Sequence, residues 1–191
     1  MIAFFFTLAF RAFKAPFSCF HKNQIMNATH LHLVLNHFPI VGTLIGIGVI
    51  LFGYVRRSDE AKKAALWIWV IMAAIAVPVF LTGEPAEETV EELAGVSETM
   101  IHRHEEAAEL AIWVMEALGV FSLLGLLASL RNSGLSRTLF LVSALLSVIA
   151  FGTMARTGYL GGQIRHSEIR TAASMQPDGT AAGGEHDEDD E

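Results

Sequence analysis

Long apolar runs separated by short polar links dominate the chain, with none of the alternation that marks a barrel strand. A hydrocarbon core about 30 Å thick is crossed by ~20 mostly apolar residues in a helix. Four stretches are long enough. Leu31 to Val55 carries no charge other than on histidines, and Ala64 to Leu81 is uncharged with Pro78 near its end. Leu110 to Leu130 is apolar except for Glu116, and Thr138 to Ala155 is uncharged. Lipid offers backbone groups no hydrogen-bond partner, so helices are the natural solution. The pattern predicts an all-α fold, an integral membrane four-helix bundle.

The links set its orientation. Arg56, Arg57, Lys62 and Lys63 follow the first span, and Arg131 and Arg137 follow the third. The link after the second span is acidic, with Glu84, Glu87, Glu88, Glu91, Glu92 and Glu98. Basic links stay cytoplasmic, which predicts a multi-pass protein of a bacterial inner membrane with both termini and the acidic link outside. Arg156, Arg165 and Arg170 after the fourth span argue mildly the other way. Pro85 suits the first turn of a short helix with Glu87 and Glu88 near its positive end. Gly95 is placed to end that helix, and Ser97 to cap the next one.

Three regions follow. Residues 1–25 are rich in phenylalanine and interrupted by Arg11 and Lys14, the reverse of a signal peptide's order. They read as an extension upstream of a working start at Met26, or as an extra helix. Residues 26–170 hold the four-helix transmembrane domain. Residues 171–191 read as a disordered acidic tail.

Composition sharpens this reading. Of 191 residues 52% are hydrophobic and 17% charged, against about 25% charged in ordinary soluble domains. That excludes a disordered chain and a nucleic-acid binder. The lone Cys19 excludes an intramolecular disulfide. The net charge of −7 belongs to the tail, where Asp178, Glu185 and Asp187 to Glu191 supply seven acids.

Histidines carry the candidate chemistry. Of eight, His21 and His186 fall in the terminal regions. The other six, His30, His32, His37, His102, His104 and His166, flank the outward ends of the first, third and fourth spans. Imidazoles brought to one membrane face by separate helices can hold a haem or a transition-metal ion. They can equally hydrogen-bond to headgroups or neighbouring helices. His32 and His37 lie five apart, ~140° around a helix and ~7.5 Å along it. They do not reach one ion from a regular helix, unless Pro39 starts the helix and His32 to His37 form an irregular lead-in. Gly42 and Gly46 permit close helix approach or leave room beside a flat macrocycle.

In the third span His102, Glu109 and Glu116 recur every seven residues, close together in helical projection. An ionised carboxylate at the depth of Glu116 is costly. The stripe therefore reads as a proton path through Glu109 and Glu116, or Glu116 stays protonated and bonds Ser143 or Ser147. His104 begins His-Glu-Glu-Ala-Ala, and Ala108 stands where a zinc protease has its second histidine.

The stretch His32-Leu-Val-Leu-Asn-His37-Phe38-Pro39-Ile40 resembles the opening of an uncharacterised bacterial four-helix inner-membrane domain family, His-Pro-x-x-x-His-Phe-Pro-Ile. That family also has a histidine near the outer start of its third helix and a late Gly-Gly element. The latter matches Thr157-Gly158-Tyr159-Leu160-Gly161-Gly162-Gln163-Ile164-Arg165-His166. Leu33 replaces the family's proline, and Ser167 stands where glycine is common. The resemblance implies a ligand set of His32, His37, His104 and His166, with His102 as the substitute for His104. It also implies that Gly161 and Gly162 let the backbone near His166 fold back on a cofactor, with Met154 and Arg156 nearby. Two axial histidines per iron allow one or two b-type haems. No Cys-x-x-Cys-His is present, so covalent haem attachment is excluded.

The expected function is haem b or metal binding, with electron transfer from a membrane donor such as quinol to a periplasmic redox protein at the outer face. The alternative is a non-redox membrane subunit or a small-solute permease, the latter disfavoured because no repeated halves are evident. Homo-oligomer formation is left open.

Overall fold

The structure, a computed structural model, describes residues 22–91, 93, 96–131, 133–166 and 169–170. Most of the N-terminal extension with His21, Gly95, and the acidic tail with His186 lie outside the described residues. The elements are α1 (Lys22–Leu35), α2 (His37–Val55), α3 (Asp59–Leu81), α4 (Gly83–Glu91), α5 (Glu98–Leu130) and α6 (Leu135–Arg165). Four helical spans are long and apolar enough to cross a membrane: Ala28–Val55, Asp59–Glu91, Glu98–Leu130 and Leu135–Ile164. The fold is an all-α bundle of four such helices.

Around the bundle α2 packs on α3, α3 on α5, α5 on α6 and α6 back on α2, while α1 lies on α4 at one end. Between apolar helices in lipid, close packing rather than water exclusion holds the interface. Side chains from α3 fill the gaps at both small residues of α2. A Cβ at Gly42 would meet Met72, and one at Gly46 would overlap the Trp69 indole. The glycines thus serve helix packing and leave no space for a macrocycle. Trp69 is fully buried and its Nε1 donates to the Thr43 carbonyl at 3.3 Å. Leu44, Phe52, Ile71, Leu124, Leu145 and Val148 point outward, as lipid-facing side chains must.

Turn chemistry joins α2 to α3. Ser58 N–H bonds to Gly53 O at 2.9 Å and Arg57 N–H to Tyr54 O at 3.3 Å, the paired bonds of a Schellman ending. Arg57 takes the left-handed conformation, φ 52°. Ser58 then caps α3, accepting from Ala61 N–H at 3.2 Å. At the same end, the Arg137 charge acts on Asp59, so the two basic links lie side by side. Ser97 sits at the cap position of α5 in extended conformation but makes no side-chain cap bond.

Two expectations change. No irregular lead-in precedes Pro39: His32 lies in α1, Asn36 stays in the right-handed helical region, and its N–H bonds to His32 O at 2.9 Å. α6 continues ten residues past Ala155 to Arg165.

A shared register also emerges. The buried residues of α2 are Pro39, Thr43, Gly46, Ile50 and Gly53. Moved along the chain by 72 residues, the interval from His32 to His104, all five land on buried residues of α5: Ala111, Met115, Leu118, Ser122 and Gly125. The corresponding pair Thr43 and Met115 touch, Oγ1 to Sδ 3.7 Å. The two helices thus share an inward-facing register, whereas the second helices do not share it at this interval: the buried Ala65, Leu66, Trp69, Ala73 and Ala76 of α3 land on exposed residues of α6. Interior facing is what α2 and α5 share, and few residue identities accompany it.

Candidate cofactor site

The first and third spans, Ala28–Val55 and Glu98–Leu130, each place one histidine near their start against the end of the span that follows. His32 Nδ1 donates to the Val79 carbonyl at 2.9 Å, and His104 Nδ1 donates to the Thr157 carbonyl at 2.9 Å. Both rings are half-buried. The spans alternate in direction, so the two imidazoles lie at the same end of the bundle.

The local reason is the same in both hairpins. In a helix the side chain at i+4 leans back over the carbonyl of residue i. Four residues after Val79 stands Gly83, and four after Thr157 stands Gly161. A Cβ on Gly83 would lie 3.7 Å from His32 Cε1, and one on Gly161 would lie 3.1 Å from His104 Cε1. Each glycine leaves its carbonyl open to an imidazole. At Val79 the carbonyl is also one of those left over where α3 ends. Thr82 completes that end, its hydroxyl donating to Pro78 O at 2.8 Å and lying 3.4 Å from His32 Nδ1.

This arrangement decides the chemistry available. With Nδ1–H committed to a carbonyl, the neutral imidazole has its lone pair on Nε2, the tautomer and orientation that metal-bound histidines adopt. The chain matches no family model, no curated protein and no solved structure. The arrangement of side chains and carbonyls therefore carries the functional reading.

The remaining candidates fall elsewhere. His30 and His37 are exposed, the latter on a different side of its helix from His32, as five-residue spacing requires. His102 is exposed and pairs with Glu106 at 3.4 Å and Glu105 at 3.8 Å. His166 is exposed just after α6, its N–H bonding to Gly162 O at 3.2 Å. Among the described residues no three or more His, Cys, Asp or Glu side chains converge as a metal-holding group.

Gly161 and Gly162 lie inside α6, so the expected fold-back at the Gly-Gly element is corrected: Gly161 receives the His104 ring and the helix runs on. The turn comes after Arg165, where Arg170 donates to Gln163 O at 2.7 Å and Ile164 O at 2.8 Å. Met154 packs on the core, and Arg156 is exposed.

Glu109 is exposed. Glu116 meets neither serine proposed for it. Its Oε1 and Ser143 Oγ are buried without partners, and Ser147 donates to Ala144 O at 2.7 Å on its own helix. Sequence reasoning missed the two acceptor carbonyls and Gly83. The available signal was a glycine late in both the second and the fourth spans, facing a histidine near the start of the span before.

Proposed function

We propose that this chain is a haem-b-binding electron carrier of a bacterial inner membrane, with His32 and His104 as the residues that would hold the haem near the outer face. The supporting observation is the pair of imidazoles from separate hairpins, each with Nδ1–H tied to a helix-end carbonyl and Nε2 left as the available lone pair. The donor set fits a group that brings its own equatorial nitrogens, since two imidazoles complete six-coordinate iron. A bare zinc-type ion takes about four protein ligands, which makes it the weaker candidate. Haem bound here would supply a reversible one-electron change at iron. The chain's own residues hold the imidazole orientation, raise the basicity of Nε2 through the carbonyl bonds, and bury the site's inner side in the bundle. A membrane donor such as quinol and an acceptor at the outer face are the matching partners, with both termini outside.

The same two bonds also suit a second reading, a non-redox subunit in which His32 and His104 only clamp helix ends. An optical spectrum separates the two. Protein purified in detergent from haem-sufficient cells is expected to be red with a reducible Soret band. His32→Ala and His104→Ala are expected to lose the band, while His37→Ala keeps it. A colourless wild type whose two variants merely melt earlier would replace the carrier with the clamp.

A further inference from the structure

Midway down the bundle α3 and α5 leave a groove of about 220 Å³ lined by Val70, Ala73, Ala74, Glu116, Gly119, Val120 and Leu123. Ala74 and Val120 are exposed, so it opens on the lipid side. Glu116 is its one ionisable lining residue, and Glu116 Oε1 is buried with no partner. At the matching register of α2, 72 residues earlier, stands Leu44, a lipid-facing aliphatic side chain. Helix α5 thus carries a carboxyl where α2 carries a hydrocarbon.

A carboxyl at this depth needs a polar partner or a neutral state in which its O–H can donate. The chain has little to offer from a second copy. The hydroxyls near the bundle middle, Thr43, Ser122, Ser143 and Ser147, are all buried inside it. Phospholipids keep their ester oxygens at the interface and present only acyl chains at mid-depth. What remains is a lipid-dissolved molecule that carries carbonyl or hydroxyl oxygens on a compact ring.

We propose that this groove binds the head ring of a quinone or quinol, with the Glu116 carboxyl hydrogen-bonded to a ring oxygen, the closely packed Ala73 and Gly119 forming the floor and the exposed Ala74 leaving room for the ring on the lipid side. As the entry point for electrons it rests on the carrier reading above; as a binding site it does not.

Trp113 lies one turn before Glu116 on α5, and Trp69 one turn before Ala73 on α3, so indole emission reports on the groove. Titrating the detergent-solubilised full chain with decylubiquinone is expected to give saturable quenching above a linear collisional background. Ala74→Phe fills the groove from the lipid side without touching the core. It is expected to abolish the saturable component, and Glu116→Leu to raise half-saturation roughly tenfold, the loss of about one hydrogen bond. Glu116→Gln, which can still donate, is expected to retain most of the affinity. Circular dichroism checks that all three variants remain helical. Purely linear quenching in the wild type overturns the proposal, as does saturation that Ala74→Phe and Glu116→Leu leave unchanged. A dimer that Glu116→Leu converts to monomer, with no saturable quenching, assigns the groove to a second copy instead. Because the titration needs no haem, a colourless protein that still shows the saturable component would reject the carrier and keep the quinone site.

Discussion

The shared detail at both histidines is a missing side chain. Gly83 and Gly161 occupy the place from which a Cβ would crowd an imidazole reaching for the carbonyl one turn back. The two differ in tightness, which yields a prediction. At Gly161 an added methyl would lie 3.1 Å from His104 Cε1 and 3.2 Å from Nδ1, and a ring already tied to Thr157 cannot retreat without lengthening that bond. Gly161→Ala is therefore expected to displace His104 and lower the Soret absorbance at least severalfold. The helix itself gains up to about 1 kcal/mol of intrinsic preference from alanine, so circular dichroism should show no loss of helix. Gly83→Ala puts its methyl at ordinary contact distance, 3.7 Å, and is expected to keep the spectrum. Equal damage from both variants would mean that the gap beside the ring is not what matters. That His32 and His104 lie near the starts of the first and third spans was readable from the sequence. Their separation from His37, His102 and His166 was not, because a histidine's partner is a carbonyl of another helix and carbonyls leave no mark in a sequence.

The elements themselves were largely readable. Runs of apolar residues located all four spans, and the short acidic helix was placed by Pro85 and its glutamates. Ends fared less well. α6 runs on through Gly158, Gly161 and Gly162 because packing against α5 and the Arg170 bonds to its last turn outweigh the weak helix preference of glycine. The α2–α3 turn shows the opposite strain: Arg57 holds a left-handed conformation that glycine would hold freely. That conformation costs an L-residue about 1–2 kcal/mol. Glycine's extra freedom in the unfolded chain takes back about 0.4–1 kcal/mol. Arg57→Gly is thus expected to raise the melting temperature in detergent by about 2 °C, from a net gain near 0.5–1 kcal/mol. Ser58→Ala removes the cap to Ala61 and is expected to lower stability by about 1 kcal/mol. If Arg57→Gly melted earlier than wild type, the guanidinium would be doing more in that turn than tolerating its conformation.

For the whole molecule the pairing of one histidine with one carbonyl in each half of the chain sets the arithmetic of the site. Interior positions recur at an interval of 72 residues along α2 and α5, as do His32 and His104, while their acceptor carbonyls and the glycines beside them recur at 78. Sequence identity between the halves is too thin to announce this. What recurs is which side of a helix faces inward, and Thr43 against Met115 or Ile50 against Ser122 satisfy that with different chemistry. A single histidine from each half, both at one end of the bundle, suits one group held between them rather than a separate centre in each hairpin. On the proposed carrier reading the chain is expected to hold one haem when the cofactor is extracted into alkaline pyridine and counted against protein by amino-acid analysis. His32→Ala and His104→Ala should then reduce that content to similar levels, within about twofold, because each would remove one of the two histidines proposed to hold the group. A ratio of two haems per chain would assign the two histidines to separate groups. Full retention in one variant with complete loss in the other would leave the binding to one histidine alone.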